Sequence, residues 1–237
     1  VVVDNLQTGK SENLLPGVPF VHADLRIPET LQGVLNGCEG IVHLAALKAA
    51  GDSMTQPEKY ANQNISGTIQ LLNAATESDV RYVIFSSTAA VYGNPQYIPM
   101  DEEHPTKPSN FYGYTKLAIE ELLGWYAHLK GVRFASLRYF NAAGYDVDGK
   151  IKGLESEPNN LLPIVMEAVI GKRPYVEVFG TDYDTPDGTC IRDYVHVEDL
   201  AQAHLKALEF MQVNKGFSAF NLGNGNGFSV LEVITAF

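Results

Sequence analysis

The chain has 237 residues, of which 45% are hydrophobic and 19% are charged. This composition is typical of a globular protein and excludes disordered, collagen-like and coiled-coil sequences. Its 17 Lys and Arg against 28 Asp and Glu give a net charge of −11, which argues against a nucleic-acid-binding or anionic-membrane surface. A local positive pocket for a nucleotide-sized anion is still compatible with that charge.

Two further features of the composition bear on the compartment. The longest apolar runs fall far short of a membrane span, and no signal peptide is visible. Cys38 and Cys190 are too few and too far apart for a disulfide framework or a zinc site. We therefore expect a reduced compartment, the cytoplasm, and no membrane partner.

Short apolar segments of strand length alternate with helical patterns over the first 141 residues. Strands are predicted at Val1–Asp4, Phe20–Leu25, Gly40–Ala46, Tyr82–Ser87 and Phe134–Asn141, and helices at about 28–36, 57–78 and 111–130. Because strands that alternate with helices are joined by crossover connections, we expect a mostly parallel α/β sheet with helices on both faces.

The rhythm changes after Asn141. Residues 142–158 are predicted to form a long loop, and the elements after it are helix 159–171, strand Tyr175–Gly180, an acidic loop at 181–188, helix Val197–Met211, strand Phe220–Gly223 and a helix from Val230. We expect a nucleotide-binding domain over 1–141 and a mixed segment over 142–237 that helps to bind a substrate. Because the chain begins with Val and stops within a helical pattern, we also expect it to be a piece of a longer parent.

Tyr112 and Lys116 are four residues apart in a predicted helix, so their side chains share one face. A cation beside a phenol lowers the pKa of the tyrosine, which makes it a usable general base near neutral pH. By itself the pair is more often an ordinary surface pair. Ser86 and Thr88 end a buried strand, where open α/β sheets bind ligands, although a capping cluster is the alternative.

Acidic residues end the first two predicted strands. Asp4, followed by Asn5, stands where dinucleotide-binding folds use a carboxylate to hold the adenosine ribose and repel a 2′-phosphate, which favours NAD over NADP. Asp24, followed by Leu25, is placed to flank the adenine. Singly, each is more often an ordinary aspartate at the end of a strand.

Seven collinear motifs resemble the extended short-chain dehydrogenase/reductase family. They are Val3–Leu6, His43–Lys48, Phe85–Gly93, Tyr112–Lys116, Leu137–Asn141, Pro158–Leu161 and Asp187–Val197. Within the family, the chain is most similar to NAD-dependent enzymes that epimerise carbon 4 of UDP-glucose and UDP-galactose. The resemblance implies a Rossmann-like doubly wound sheet, a bound NAD, a 4-keto intermediate, a UDP-sugar substrate and a homodimer formed by helices 57–78 and 111–130.

The resemblance also implies a role for individual residues. The catalytic residues would be Thr88, Tyr112 and Lys116. The cofactor would contact Asp4, Asn5, Asp24, Leu25, Leu44, Ala45, Ala46, Lys48, Ser86, Tyr112, Lys116 and Tyr139. The substrate would contact Lys48, Thr88, Tyr112, Asn141, Asn160, Leu161 and Arg192, with Arg192 as the cation beside the diphosphate. The six histidines show no metal spacing, and no metal is expected.

Ala89 and Ala90 stand where related dehydratases carry acidic residues, so elimination of water is disfavoured. Two alternatives stay open: a 4-epimerase of another UDP-sugar (a glucuronate, pentose or N-acetylhexosamine form), and a non-catalytic nucleotide-sugar binder. The resemblance further implies that a first strand with a Gly-rich turn precedes Val1, and that without it the strands Val1–Asp4 and Phe20–Leu25 have unpaired edges. We expect the isolated 237-residue piece to be inactive and poorly stable.

Overall fold

The computed structural model describes residues 1–151, 155 and 158–237. Its strands are β1 (Val2–Asp4), β2 (Phe20–His22), β3 (Gly40–His43), β4 (Tyr82–Thr88), β5 (Arg133–Tyr139), β6 (Asn141–Ala143), β7 (Ile191–His196), β8 (Phe217–Leu222) and β9 (Gly227–Ser229). Its α-helices are α1 (Ala50–Thr55), α2 (Pro57–Tyr60), α3 (Gly67–Thr76), α4 (Phe111–Lys130), α5 (Leu161–Val169), α6 (Val197–Val213) and α7 (Val230–Thr235).

The central sheet is parallel, with the strand order β3-β4-β5-β8. Strands β1 and β2 form a separate parallel pair, and β7 lies between β6, which is parallel to it, and β9, which is antiparallel. This arrangement confirms the predicted Rossmann-like α/β fold. Among the described strands β1 pairs with β2 alone.

Helices cover both faces of the central sheet. Successive side chains of a strand point to opposite faces, so each strand packs against both layers of helices. On one face Val83 and Phe85 of β4 pack in a cluster with residues of α3 and α4, namely Leu71, Leu72, Ile119 and Leu123. On the other face Ile84 packs with Ala207 and Met211 of α6. Helix α4, which carries two of the predicted catalytic residues, is thus held directly against β4.

The two longest predicted helices are confirmed, and one of them contains an irregular turn. The helix predicted over 57–78 consists of α2, a π-helical segment at Ala61–Ser66 and α3. Helix α4 begins after Asn110, whose Oδ1 accepts the N–H of Gly113 at 2.8 Å, and ends at Gly131, whose φ is 71°. None of the helices in the described residues has the length and hydropathy needed to cross a membrane.

Several predicted elements differ from the structure. The strand predicted at Tyr175–Gly180 is wrong, because this segment pairs with no strand among the described residues, and Phe179 is 80% exposed. The helix predicted at 28–36 is reduced to a 3₁₀ turn at Pro28–Leu31, since Gly33 follows with a φ of 73°.

Other differences concern short elements. The sequence analysis did not predict α1, β7 or β9, and β6 occupies the start of the predicted loop over 142–158. Residues 152–154 and 156–157 of that loop lie outside the described residues. The division of the chain at residue 141 stays a prediction, although β8 joins the central sheet from the second segment.

The burial pattern of α6 generates a stability prediction. Leu200 is buried at 7% exposure, whereas Leu205 of the same helix is 64% exposed. Leu200→Ala should lower the free energy of unfolding by about 2–4 kcal/mol, because it loses buried area and leaves a cavity. Leu205→Ala should change it by less than about 0.5 kcal/mol. Urea denaturation of both variants checks this, and equal losses would contradict the orientation of α6.

Candidate active site

The predicted pair on α4 faces the carboxyl end of β4. The Lys116 ammonium donates a hydrogen bond to the Ser86 carbonyl oxygen at 2.7 Å and lies 4.7 Å from the centroid of the Phe85 ring. It lies 5.9 Å from the centroid of the Tyr112 ring. The i, i+4 spacing thus brings both side chains to one face, as predicted, and the seam between helix and strand buries Lys116 to 2% exposure.

Burial governs the protonation of Lys116. Because the protein replaces water around the ammonium, burial lowers the pKa of Lys116 to about 7, and the negative charge of Glu120 acts in the opposite direction. A lysine ammonium has three donors. Among the described residues, Lys116 uses one of them, on Ser86. Its remaining donors can therefore serve hydroxyl groups of a ligand.

Tyr112 is the second member of the pair, and Thr88 is its partner across the seam. Burial raises the pKa of Tyr112, while a hydrogen bond with the Thr88 side chain lowers it. The net shift is upward, so the expectation that Lys116 alone would lower this pKa is wrong for the chain without ligands. The physical reason is that the phenol itself is desolvated and the ammonium is directed at Ser86 rather than at the phenol oxygen.

A glycine permits the close approach of α4 to the end of β4. Thr88 Oγ1 accepts the N–H of Ala90 at 3.2 Å and so caps a 3₁₀ turn at Ala89–Val91. A Cβ built at Gly113 would lie 2.6 Å from the Ala90 carbonyl oxygen. The missing side chain at this position therefore lets α4 approach Ala90 closely beside Tyr112.

Tyr139 reaches the same strand end from β5. Burial raises the pKa of Tyr139 to about 12, and its hydroxyl interacts with the Ser86 side chain. The same hydroxyl lies 2.7 Å from His204 Nε2 on α6. The structure therefore brings Ser86, Thr88, Tyr112, Lys116 and Tyr139 together, as predicted.

The residues predicted to hold the adenosine lie at the ends of β1 and β2. Asn5 Nδ2 donates to Asp24 Oδ2 at 3.1 Å. Asp4 Oδ1 accepts the N–H of Leu6 at 2.6 Å, and Leu6 has a φ of 55°. The chain thus folds tightly over the Asp4 carboxylate. Arg26 donates hydrogen bonds to both carboxylate oxygens of Asp24. These bonds hold the pKa of Asp24 well below its usual range.

The loop after β3 contains the residues predicted to lie beside the cofactor, Leu44, Ala45, Ala46 and Lys48. Asn64 fixes its backbone, since its side chain accepts the N–H of Leu47 at 2.8 Å and donates to the Leu47 carbonyl at 3.0 Å. Leu44 is 59% exposed, and Lys48 forms an exposed 2.9 Å ion pair with Glu155. Leu25 packs at the border of the core that contains α3.

The residues predicted to bind the substrate fall into two groups. Asn141 and Arg192 lie on the paired strands β6 and β7, where Asn141 is the partner of Tyr194 and its Nδ2 donates to the Asp193 carbonyl at 2.8 Å. Arg192 is exposed, and its guanidinium contacts the Ile191 carbonyl at 2.8 Å. Asn160 and Leu161 lie at the first turn of α5, which packs against α7.

Sequence reasoning missed two residues that position the site. Ser53 of α1 is fully buried, and its Oγ accepts the Tyr112 N–H at 3.0 Å. Asn64 lies in the π-helical segment and also donates to Thr115 of α4 at 3.0 Å. The signal for Asn64 is a polar residue on the inner face of a predicted helix, whereas nothing in the sequence marks Ser53.

The arrangement fits a dinucleotide with a polar substrate bound next to it. Polar groups at the ends of β1 to β5 lie at the carboxyl edge of parallel strands, where such ligands bind. A phenol, a hydroxyl and an ammonium meet there and can move a proton at a bound hydroxyl group. In the described part of the chain, no three His, Cys, Asp or Glu side chains converge as metal ligands.

Known proteins are similar to this chain over almost its whole length. Residues 1–223 match the NAD dependent epimerase/dehydratase family. A UDP-glucose 4-epimerase of Halalkalibacterium halodurans is 46% identical over 99% of this chain and 70% of the relative. A crystal structure of UDP-glucose 4-epimerase from Brucella ovis in complex with NAD aligns with a TM-score of 0.94 at 41% identity, over 99% of this chain and 72% of that chain.

A third match is a complex with two ligands. The crystal structure of UDP-glucose 4-epimerase from Bifidobacterium longum in complex with NAD⁺ and UDP aligns with a TM-score of 0.92 at 37% identity. It covers 99% of this chain and 73% of that chain.

The contact at Gly113 generates a prediction with a control in the same helix. Gly113→Ala should lower the free energy of unfolding by about 1–3 kcal/mol, because the new methyl group meets the Ala90 carbonyl. Gly124→Ala should raise it by up to about 1 kcal/mol, since nothing lies within 4 Å and alanine favours the helix. Denaturation of both variants measures the difference. Stabilisation by both would refute the tight seam.

Proposed function

The chain belongs to the NAD dependent epimerase/dehydratase family, and we propose that it catalyses the NAD-dependent, reversible 4-epimerisation of UDP-glucose and UDP-galactose. The observation that carries this proposal is the meeting of Thr88, Tyr112 and Lys116 at the end of β4. Relatives of 40–46% identity that cover almost the whole chain carry the name of this activity.

In the proposed reaction Tyr112 is the base for the sugar's 4-hydroxyl group. Its phenolate takes the hydroxyl proton as the 4-keto sugar forms and returns the proton when the sugar is reduced, so no net proton is consumed. The Thr88 side chain assists by favouring the ionised phenol, since it lowers the pKa of Tyr112. When bound, NAD⁺ supplies the ring that accepts the hydrogen of carbon 4 as hydride and gives it back.

Lys116 has two tasks in this proposal. Its charge favours the ionised form of Tyr112, since a cation in a site of low dielectric constant stabilises a nearby anion. Its free donors can hold the ribose hydroxyls next to the nicotinamide. Ser86 and Tyr139 would border the nicotinamide, and Asp4, Asn5, Asp24 and the loop Leu44–Lys48 would hold the rest of the cofactor.

The UDP moiety is assigned to residues of β6, β7 and the start of α5. Arg192 is an exposed cation on β7, the strand paired with β6 that carries Asn141, and it suits a diphosphate because guanidinium binds phosphate oxygens in a bidentate manner. Asn160 and Leu161 would contact the nucleotide from α5. These assignments rest on the matching motifs and on the placement of β6 beside β7.

Two observations favour epimerisation over the neighbouring possibilities. Ala89 and Ala90 follow Thr88 directly, so no carboxylic acid is available there to expel water from a keto sugar. A non-catalytic nucleotide-sugar binder has no need for the buried Lys116 and its contact with Ser86. The second candidate is a 4-epimerase of another UDP-sugar, which an assay with glucuronate, pentose and N-acetyl substrates would identify.

The proposed base is tested by a pair of tyrosine variants on α4. In the full-length protein encoded by the gene, Tyr112→Phe should lower kcat for UDP-galactose by about 10²–10⁴-fold, because it removes the proton acceptor. Tyr114→Phe is the control, since Tyr114 is 51% exposed on the same helix. It should retain full activity. Unchanged turnover by Tyr112→Phe would eliminate this base.

We also propose that the protein is a homodimer that acts in the cytoplasm, in galactose metabolism. The free cysteines Cys38 and Cys190 are compatible with a reducing compartment. Helix α4 presents exposed apolar side chains away from the sheet, with Trp125 at 64% and Leu129 at 67% exposure. Because Trp125 is exposed to this extent, it is not part of the core. Exposed apolar and aromatic residues of this kind are typical of a protein–protein interface.

The interface is tested by reversing the character of that helix face. Trp125→Glu should convert the dimer into a monomer, because a carboxylate would be buried in an apolar contact. Leu205→Glu on α6 is a control of similar exposure, 64%, outside the proposed interface, and should remain dimeric. Sedimentation equilibrium of the full-length protein measures both masses. A dimer that survives Trp125→Glu would refute this interface.

A further inference from the structure

A buried ion pair that the proposed reaction does not use lies one helical turn from Lys116. The Arg138 guanidinium of β5 donates to both oxygens of the Glu120 carboxylate of α4, at 3.1 and 2.7 Å. Ser87 Oγ of β4 donates to the same carboxylate at 2.6 Å. The Glu120 and Arg138 side chains are 3% and 8% exposed.

The pair is joined to the rest of the sheet by neutral groups. Arg138 Nη1 donates to the Tyr92 hydroxyl at 2.8 Å, and this hydroxyl donates to Asn221 Oδ1 of β8 at 2.7 Å. Burial opposes the charge of Arg138, but its bonds to Glu120 and Tyr92 raise its pKa above the usual value. Arg138 is therefore a permanent cation.

Stability alone does not explain why this ion pair is buried. Removing two charges from water costs several kcal/mol, and apolar replacements of buried ion pairs are often neutral or stabilising. The position of this pair supplies a reason. Glu120 follows Lys116 by four residues on the same helix face, and Ser87 stands between Ser86, which binds Lys116, and Thr88.

We propose that Glu120 is a positioning residue for the reaction, which supplies the negative charge that keeps Lys116 an ammonium and is itself held in place by Arg138 and Ser87. This inference rests on the proposed function, in which the ammonium favours the ionised form of Tyr112. Glu120 does not touch the substrate. It acts through Lys116, and its loss should affect kcat while the KM for the sugar stays unchanged.

The other groups around Lys116 do not supply this charge. His43 of β3 is buried, and burial, with a smaller effect of Lys116 itself, lowers its pKa to about 3, so it is neutral. On β4 the neighbours are the Phe85 ring and the Ser86 carbonyl. On α4 Tyr112 is the other titratable neighbour, and its pKa is raised. On β5 Arg138 is a cation. Among the described residues, Glu120 is thus the anion that acts on Lys116.

The sign of the effect follows from the chemistry. Activity requires the ammonium, so it falls as pH rises through the pKa of Lys116. Glu120→Gln removes the negative charge but can still accept hydrogen bonds. It should therefore lower that pKa further and move the alkaline fall of kcat to lower pH, by about one pH unit.

The experiment records kcat against pH for the full-length protein and its variants. Tyr92→Phe is the control, because it takes a hydroxyl from the same network without changing a charge. It should lower the melting temperature and leave the alkaline fall in place. Glu120→Asp keeps the charge and should restore the wild-type profile. An unshifted profile in Glu120→Gln, or an equal shift in Tyr92→Phe, would overturn the proposal.

A second variant covers the case in which Glu120→Gln fails to fold. Arg138→Gln leaves the Glu120 carboxylate without its counter-charge, so the alkaline fall should move in the opposite direction, to higher pH. A shift to lower pH or no shift would overturn the proposal. The results distinguish failure of this proposal from failure of the proposed function. If Tyr112→Phe retains activity, Tyr112 is not the base. If Tyr112→Phe is inactive and the alkaline fall of kcat is unshifted in Glu120→Gln, only the role of Glu120 is wrong.

Discussion

The site depends on one buried contact, the hydrogen bond from the Lys116 ammonium to the Ser86 carbonyl oxygen. A desolvated charge has few stable positions, so this bond fixes the depth at which α4 lies against β4. That depth in turn decides whether Tyr112 can reach Thr88. The geometry of the candidate site is therefore a consequence of where a helix must lie to satisfy one cation.

The neighbouring chain is shaped to permit this contact. Asn110 begins α4 at the right point, and Ser53 accepts a backbone N–H of its first turn. Gly113 offers no Cβ at the place where the helix meets the Ala90 carbonyl. The parallel order of the sheet then brings the ends of β4 and β5 to one edge, so that Tyr139 joins a site formed mainly by β4 and α4.

Local patterns predicted the elements that form this seam, because each is encoded within a few residues. The spacing of Tyr112 and Lys116 and the hydroxyls after a buried strand need no knowledge of distant contacts. The Glu120–Arg138 pair could not be predicted in this way, since its partners are 18 residues apart on different elements. The segment Tyr175–Gly180 has the residue types of a strand. A strand also needs a neighbouring strand to pair with, and a local sequence pattern does not show whether one is present. The same limit applies to the pKa of Tyr112, which depends on burial.

Burial disfavours the charged forms of both Tyr112 and Lys116. It raises the pKa of Tyr112 and lowers that of Lys116 to about 7. Burial thus favours the neutral form, with phenol and amine, over the ionised form, with phenolate and ammonium. Fixed groups of the site act against this effect of burial. The Thr88 side chain favours the phenolate, and the Glu120 carboxylate one turn away favours the ammonium. A base that must both take and return a proton depends on such groups, because they reduce the energetic cost of its ionised form.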